Sequence, residues 1–504
     1  MLQSDGLPLK KEPGMTLGGR LREVARAAPE RQAIADSSGH SLTYGEVVQQ
    51  AEQLANWLAT ERPAEVNIGL YLPSSVAAAV ANYAITLAGK VAVNLNFTAG
   101  EQYCRAAMAV CGLQTIFTSR GFLEKMGSKT LAEMVFLEDV PTEARAAKTV
   151  ADVGPDSTAC ILFSSGTTGV PKGIQLTHWN ILANAEGLAA RIPPDESDCV
   201  LGVLPFFHSF GYTFALWFPV LCGLRAAYHA SPTDARTIGE LAEKHRATYF
   251  LSTPTFCQQY ARKLPPQQFA TLRYILVGAE KLRDSIAREF KDHFGIELLA
   301  GYGCTELGPG VAISTHAERR PGSVGRPLDG ITVRIADPDT LEPLSCGQQG
   351  MILVNGPSRM PGYYKAPELT RQVLHDGFYV TGDLGYVDED GFLYVTDRIA
   401  RFSKLAGEMV PHLPIEEAIS DLTASFVTGV PDKARGERLV VLYTNTETTP
   451  ADIHARLVQS GLPALWIPKR EDIHAVAAIP VLPSGKVDLR QARELAASVG
   501  AGGE

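Results

Sequence analysis

Four short apolar runs, each ending in small residues, constrain the fold of this chain more than any other feature of its sequence. The runs are ACILFSS (159–165), ATYFLST (247–253), YILVG (274–278) and IELLAGYG (296–303), with helix-like stretches between them. Buried strands that alternate with helices are typical of a parallel sheet with helices on both faces. Ligands bind such sheets outside the carboxyl ends of the strands. The runs therefore predict an α/β fold with doubly wound sheets and a binding site where the runs end.

The rest of the chain predicts additional domains, because 504 residues are too many for one hydrophobic core. Near the N-terminus, Thr43-x-x-Glu46 is a capping box that predicts the start of a helix. From about Ile331, short strands separated by glycine turns predict a small β-barrel-like subdomain. We expect a large N-terminal domain of several subdomains, residues 1–398, followed by a small α+β domain, residues 399–504.

Net charge and apolar content limit the classes of partner. The chain carries a formal net charge of -9, so it lacks the basic balance of a nucleic-acid-binding protein. Its N-terminus has no apolar core of a signal peptide, and the segment Val76–Gly89 is too short and too rich in alanine to span a bilayer. The eight cysteines form no CxxC pair, which favours a reducing compartment. We therefore expect a cytoplasmic protein with no integral membrane segment and no nucleic-acid partner.

The stretch FSSGTTGVPKG (163–173) overlaps the end of the first apolar run and combines glycines, hydroxyls and a lysine. Consecutive backbone N–H groups in such a loop form a concave anion site, to which hydroxyls add donors and Lys172 adds a charge. The stretch is not a Walker A loop, because Pro171 stands where the second glycine would be and no Ser or Thr follows Lys172. A surface turn rich in serine and glycine is the alternative. We interpret the stretch as a phosphate-binding loop.

Several motifs in a fixed order resemble those of the adenylate-forming, or acyl-activating, superfamily of enzymes. They are SSGTTGVPKG, PFFHSFG, VGAEKL, GYGCTELGP, YVTGDLG, DRIARFSKLAGE and PSGKVD. Together these motifs extend over nearly the whole chain. The resemblance implies an acid–thiol ligase that joins a carboxylate to the α-phosphate of ATP and releases pyrophosphate. A thiol then displaces AMP to give a thioester.

The resemblance implies a phosphate and metal site in the large domain. Four residues of the loop would bind the β- and γ-phosphates, namely Ser165, Thr167, Thr168 and Lys172. Thr305 would contact the phosphates, and Glu306 would ligate Mg²⁺, which proteins usually hold with one or two carboxylates and phosphate oxygens. Outside this motif, a Thr–Glu pair is more often a helix cap.

The resemblance also implies where the nucleoside of ATP binds. Asp383 would accept hydrogen bonds from both ribose hydroxyls, since a carboxylate has two oxygens, and Arg398 would reach the ribose or a phosphate. Tyr302 would stack on the base. The adenine slot would be lined by residues near the ends of two strands, namely Gly278, Ala279, Glu280, Tyr302 and Gly303.

Two more side chains and a hinge follow from the resemblance. Lys486, in the small domain, would swing in and bridge the substrate carboxylate and the α-phosphate, whose like charges repel. A lysine in such a loop is otherwise a solvated charge. His208, among phenylalanines, would be an aromatic gate beside the acyl pocket, with a packed core histidine as the alternative. At the hinge position the family usually has Asp or Lys, whereas this chain has Ala400.

Two further features of the sequence concern the choice of acid and thiol. The aromatic and aliphatic stretch PFFHSFGYTFALWF suits an acyl chain, so we expect a fatty or other carboxylic acid. The C-terminal part is similar to the acyl-[acyl-carrier-protein] synthetase portion of 2-acylglycerophosphoethanolamine acyltransferases, which implies transfer to the phosphopantetheine thiol of acyl carrier protein. An acyl- or aryl-CoA synthetase that uses coenzyme A is the alternative. A non-catalytic nucleotide-binding member and a luciferase-type oxidoreductase are two more.

An acidic carrier protein would need a local basic face on this acidic chain. We expect that face in the small domain, from Arg398, Arg401, Lys404, Lys469 and Arg470. Solvated charges, with Arg398 serving the nucleotide, are the alternative.

Overall fold

A computed structural model describes residues 2–3, 11–12, 14–127, 129–141, 153–164, 171–398, 401–405, 408–432, 436–445, 447–481 and 487–500. The chain forms two compact units. The first unit comprises Met1–Thr381 and Tyr386–Val395, and the second comprises Gly382–Gly385 and Thr396–Glu504. The mobility of the second unit and the hinge at Ala400 stay predictions, and Ala400 lies outside the described residues.

The first part of the chain alternates strands and helices. Its strands are β1 (Leu2–Gln3), β2 (Gln32–Asp36), β3 (Ser41–Thr43), β4 (Asn67–Leu70), β5 (Val91–Asn94), β6 (Ile116–Thr118) and β7 (Met134–Phe136). Its helices are α1 (Leu17–Ala27), α2 (Tyr44–Glu61), α3 (Val76–Leu87), α4 (Glu101–Cys111) and α5 (Arg120–Met126). The capping box is confirmed, because Thr43 Oγ1 accepts from the Glu46 amide and Glu46 Oε2 accepts from the Thr43 amide.

The middle of the chain continues this alternation. Its strands are β8 (Thr158–Ser164), β9 (Lys172–Thr177), β10 (Cys199–Gly202), β11 (Arg225–Tyr228), β12 (Tyr249–Ser252), β13 (Tyr274–Val277), β14 (Leu298–Gly303) and β15 (Gly310–Ile313). Its helices are α6 (His178–Arg191), α7 (Ser209–Gly211), α8 (Phe218–Leu221), α9 (Ala235–His245), α10 (Pro254–Lys263) and α11 (Asp284–Phe294). A π-helical segment, Tyr212–Trp217, joins α7 to α8.

After residue 326 the structure becomes mainly antiparallel. The strands are β16 (Arg326–Pro327), β17 (Thr332–Ala336), β18 (Gly350–Asn355), β19 (Leu374–His375), β20 (Phe378–Val387) and β21 (Leu393–Arg398). The helix is α12 (Pro367–Val373). Strands β1, β17, β18, β20 and β19 follow one another in one sheet, with β21 beside β20. The change to short antiparallel strands that the glycine turns after Ile331 predict is confirmed.

Two mixed sheets form the frame of the first unit. One is a six-stranded sheet, distinct from the antiparallel one, with the order β7-β6-β4-β5-β8-β9. All its neighbours are parallel except the β8–β9 pair. In the nine-stranded sheet the order is β16-β15-β14-β13-β12-β10-β11-β2-β3, and the run from β14 to β2 is parallel. The four apolar runs of the sequence form β8, β12, β13 and β14, so the predicted doubly wound α/β fold is confirmed.

The second unit has its own sheet and two small cores. Its strands are β22 (Phe402–Leu405), β23 (Glu408–Pro411), β24 (Ser425–Asp432), β25 (Gly436–Tyr443) and β26 (Ile473–Ala475). Its helices are α13 (Leu413–Ala418), α14 (Pro450–Gln459) and α15 (Leu489–Gly500). Successive residues of β24 face opposite ways, because Phe426 packs with α15 whereas Val427 packs with α13 and α14. This strand alternation divides the buried side chains into one core on each face of the sheet.

Candidate active site

The candidate phosphate loop lies between β8 and β9, two paired strands of the sheet that also contains β5. Strand β8 ends at Ser164, which pairs with Lys172, the first residue of β9. Since β8 runs parallel to β5, its end lies at the carboxyl edge of the sheet, where ligands bind in this class of fold. Lys172 is half-buried at this edge. The other loop residues predicted to bind phosphate, Ser165, Thr167 and Thr168, lie outside the described residues.

A second turn, at the end of β14, carries Thr305 and Glu306. The chain reverses from β14 into the antiparallel β15, and the Cys304 amide donates to the Pro309 carbonyl at 3.1 Å. This reversal requires a glycine at position 303, because a Cβ there would lie 2.1 Å from the Pro309 carbonyl oxygen. The turn is also held from outside, since the Met360 amide donates to the Glu306 carbonyl at 2.8 Å.

The Glu306 carboxylate is buried, with 9% of the residue exposed. Its Oε1 accepts a hydrogen bond of 2.9 Å from the Tyr363 hydroxyl, and no ion pair joins Glu306 to a cation among the described residues. A buried carboxylate without a counter-charge is costly, so this position suits a bound cation. No group of three or more His, Cys, Asp or Glu side chains in the described ranges could hold a metal alone. One carboxylate completed by phosphate oxygens is the arrangement that Mg²⁺ accepts.

Lys172 and Glu306 share a neighbour in Tyr363. The Lys172 Nζ lies 5.8 Å from the centroid of the Tyr363 ring. Burial, followed by the negative charge of Glu306, raises the pKa of Tyr363, and burial also raises the pKa of the adjacent Tyr379. Both phenols therefore stay protonated at neutral pH and can donate hydrogen bonds.

Thr305 contacts the segment that contains the candidate acyl gate. Its Oγ1 lies 3.1 Å from Ser209 Oγ, at the first residue of α7. The chain turns so tightly here that a Cβ at Gly211 would lie 2.4 Å from the Pro205 carbonyl oxygen. Ser209 is therefore held by a turn that accepts only glycine two residues later.

His208 lies at the edge of an aromatic cluster. Its ring centroid is 4.7 Å from that of Phe207, and Phe207 lies 5.0 Å from Phe97 in an edge-to-face contact. Phe97 belongs to the segment that follows β5, so the cluster also lies at the carboxyl edge of the six-stranded sheet. An apolar chain that entered here would meet ring faces and edges rather than charges. The role of His208 as a gate stays a prediction.

The residues of the candidate adenine slot lie near the ends of two neighbouring strands, β13 and β14. Gly278 follows β13 and packs near Phe210, whose ring would lie 3.7 Å from a Cβ at that position. Ala279 has a left-handed backbone, with φ of 68°, and is exposed. The carboxylate of Glu280, in contrast, is occupied by Thr255, whose amide and hydroxyl both donate to it. Both bonds go to Oε2, so Thr255 leaves Oε1 and the main chain of Glu280 unoccupied.

Tyr302 lies in β14 of the first unit, whereas the last three predicted residues, Asp383, Arg398 and Lys486, belong to the second unit. Asp383 lies in β20 and is buried, with 2% exposed. Arg398 is the last residue of β21, and its side chain is outside the described part of the structure. Lys486 lies beyond the described residues altogether, so its bridging role rests on the sequence alone.

The residues of the predicted basic face differ in their surroundings. Arg401 is half-buried and forms an ion pair with Glu416, at 2.5 Å, while its guanidinium covers the ring of Phe426. Its charge is therefore already paired within the second unit. Lys469 and Arg470 are exposed, and Lys469 pairs with Glu471. The side chain of Lys404 is outside the described residues.

Three contact residues in the site were missed by sequence reasoning. Ser209 lies inside the PFFHSFG motif, but its contact is 96 positions away in the chain. Tyr363 and Tyr379 lie in the antiparallel region, and Tyr363 meets Glu306 across 57 positions. The tyrosine after glycine in PGYY is the only local signal, and it does not identify the partner.

Comparison with known proteins agrees with the motifs. Residues 21–364 match the family model described as AMP-binding enzyme. A long-chain-fatty-acid–CoA ligase of Bacillus subtilis (strain 168) is 27% identical over 545 residues, covering 97% of this chain and 95% of that protein. A feruloyl-CoA synthase of an Amycolatopsis species is 28% identical over 482 residues, covering 92% of this chain and 95% of that protein. The crystal structure of ATP-bound MatB from Rhodopseudomonas palustris matches with a TM-score of 0.86 at 26% identity, covering 97% of this chain and 100% of that one.

Both named relatives are coenzyme A enzymes, so they do not support the finer resemblance to acyl-carrier-protein synthetases. They do agree with the enzyme class expected from the sequence, an AMP-forming acid–thiol ligase. In the described part of the chain, no helix has both the length and the apolar character needed to cross a lipid bilayer. With most of its length matched by one family model, the chain belongs to the family of AMP-binding enzymes.

Proposed function

We propose that this chain activates a carboxylic acid with ATP and transfers the acyl group to the thiol of coenzyme A. The observation that carries the proposal is the Glu306 carboxylate, which is buried and has no ion-pair partner among the described residues. Thr305 precedes it in the chain, and Tyr363, which donates to Glu306, also has Lys172 beside its ring. This combination of charge and hydroxyl donors suits a metal-bound triphosphate. The relatives support an acid as the second substrate.

The chemistry has two steps. A carboxylate oxygen of the acid attacks the α-phosphorus of ATP, the bond to the bridging oxygen breaks, and pyrophosphate leaves. The thiol sulfur then attacks the acyl carbon, AMP leaves, and the thiol proton passes to solvent. Mg²⁺, when bound, would neutralise phosphate charge during the first step.

The candidate site residues then have the following proposed roles. Lys172 and Thr305, with Ser165, Thr167 and Thr168, would hold the β- and γ-phosphates. Lys486 would offset the repulsion between the carboxylate and the α-phosphate. The nucleoside would be held by Asp383, Arg398, Gly278, Ala279, Glu280, Tyr302 and Gly303.

The acid is proposed to be apolar or aromatic. The cluster of Phe97, Phe207 and His208 offers ring surfaces. Such surfaces suit a fatty or arylpropenoic acid better than a short acid with two charges.

The test is pyrophosphate release measured across a panel of long-chain, hydroxycinnamic and short dicarboxylic acids. It is repeated with coenzyme A and with holo acyl carrier protein, and AMP and thioester are quantified. Thioester formation from coenzyme A supports the proposal, whereas thioester formed only on the carrier protein would restore the alternative thiol. No acid-dependent release of pyrophosphate from any member of the panel would contradict the proposed activity.

A further inference from the structure

The contact between Tyr363 and Glu306 makes the two carboxylate oxygens of Glu306 different from each other. Oε1 receives the Tyr363 hydroxyl at 2.9 Å, whereas no hydrogen bond is recorded for Oε2 in the described residues. A carboxylate offers two oxygens with about four lone-pair directions. One oxygen is thus fixed by the protein and the other is left for a ligand.

Tyr363 is held in place by contacts that need no ligand. Its amide donates to Thr370 Oγ1 at 2.9 Å, and the residue forms an isolated bridge with Ile174 of β9. The next residue, Tyr364, donates from its amide to the Gly173 carbonyl at 2.7 Å. The segment is therefore attached to β9, the strand that begins at Lys172. Its contacts hold the Tyr363 hydroxyl towards Glu306 without a bound substrate.

The same ring stands beside the lysine of the phosphate loop. Lys172 Nζ lies 5.8 Å from the ring centroid and makes no ion pair with Glu306 in the described structure. An ion pair between a lysine and a buried carboxylate would neutralise both groups. The interaction of the ring with Lys172 gives the lysine another favourable neighbour.

We propose that Tyr363 is a positioning residue for the metal and phosphate site, and this rests on the proposed function of Glu306 as a Mg²⁺ ligand. Its hydroxyl fixes Oε1 so that Oε2 is presented to the metal. Its ring gives Lys172 a neighbour other than Glu306, so that both charges stay available to the triphosphate. The side chain of Tyr379 interacts with that of Tyr363.

The test measures metal binding rather than turnover. Mn²⁺ is titrated into the full-length protein saturated with α,β-methylene ATP, and free Mn²⁺ is followed by electron paramagnetic resonance. Partners that orient a metal ligand typically contribute about 10- to 100-fold in metal affinity. Tyr363→Phe, which keeps the ring and removes the hydroxyl, is expected to weaken Mn²⁺ binding about tenfold. Tyr363→Leu, which also removes the ring, is expected to weaken it more.

Tyr394→Phe is the matched control. Tyr394 also donates from its hydroxyl to a carboxylate, Asp388 Oδ2 at 3.3 Å, but it has no place in the candidate site. This variant should bind Mn²⁺ and nucleotide as the wild type does. Tyr363→Phe should also keep its affinity for the nucleotide in the absence of metal, because the hydroxyl acts through Glu306.

Glu306→Gln separates failure of this inference from failure of the proposed function. If Glu306→Gln weakens Mn²⁺ binding and Tyr363→Phe does not, the positioning role is wrong and the metal role of Glu306 stands. If neither variant changes the affinity, the metal role itself is wrong. A Tyr363→Phe protein whose ligand-free thermal melt collapses would show that the hydroxyl serves the fold, and would overturn the inference.

Discussion

The hydroxyls of Ser209 and Thr305 lie 3.1 Å apart and join the aromatic segment to the turn that carries Glu306. Each hydroxyl can donate or accept, so the pair can fix the direction in which Thr305 presents its proton or lone pair. The contact links the part of the site proposed for the acid with the part proposed for phosphate. It predicts that changes at Ser209 affect the nucleotide step.

Ser209→Ala is expected to lower the rate of acid-dependent ATP–pyrophosphate exchange about fivefold, since a net hydrogen bond contributes about 1 kcal/mol. Ser231→Ala is the control, because Ser231 forms the same kind of hydroxyl pair, with Thr233 at 2.9 Å, outside the site. Equal exchange rates in the two variants would mean that the Ser209–Thr305 contact is only structural.

Gly303→Ala is expected to reduce exchange more than tenfold, because the new Cβ would lie 2.1 Å from the Pro309 carbonyl oxygen and backbone would have to move. That movement would displace Thr305 and Glu306 together. Gly121→Ala is the control, since a Cβ there meets nothing within 4 Å and alanine is favoured inside a helix. Wild-type activity in Gly303→Ala would show that the turn adapts without cost to the site.

The strands could be predicted from the sequence because they depend on local signals, namely apolar runs and small residues at strand ends. The partners of Tyr363 and Ser209 could not, because they come from 57 and 96 positions away. Hydrophobic periodicity indicates helices and strands, but it does not indicate which distant side chains come into contact.

Arg401 and Glu280 show a second limit. Both are charged residues in motifs, and charge at a motif position favours a solvent-exposed or ligand-binding role. In the structure Arg401 forms an ion pair with Glu416, and Glu280 accepts from Thr255. Pairing of this kind depends on tertiary packing, so the residue type alone could not have separated a functional charge from a structural one.

His178 is expected to make the first unit sensitive to acid. It is buried, Leu17 donates from its amide to His178 Nδ1 at 3.3 Å, and burial lowers its pKa to about 4. Between pH 6.5 and pH 4, His178 binds a proton in the unfolded chain, where its pKa is about 6.5, but stays neutral in the folded chain. The free energy of unfolding therefore falls as the pH drops from 6.5 towards 4. The loss that this histidine contributes at pH 5 is about 2 kcal/mol.

The check compares melting temperatures at pH 7.5 and pH 5 for the wild type and for His178→Gln, which keeps an acceptor near Leu17. The wild type is expected to lose more stability than the variant over this interval. His40→Gln, at an exposed position, should behave as the wild type does. Parallel pH dependence in all three proteins would exclude His178 as a source of the acid sensitivity.

Lys486→Ala is expected to separate the two half-reactions. If this lysine bridges the substrate carboxylate and the α-phosphate, its loss removes a preorganised charge contact, which typically costs about 10²–10³ in rate. Acid-dependent pyrophosphate exchange should therefore collapse, while thioester formation from supplied acyl-adenylate and coenzyme A continues. Lys469→Ala is the control, because Lys469 is exposed in the same unit and pairs with Glu471. A parallel fall of both half-reactions in Lys486→Ala, with Lys469→Ala unaffected, would assign the lysine to a task common to both steps rather than to the adenylation bridge.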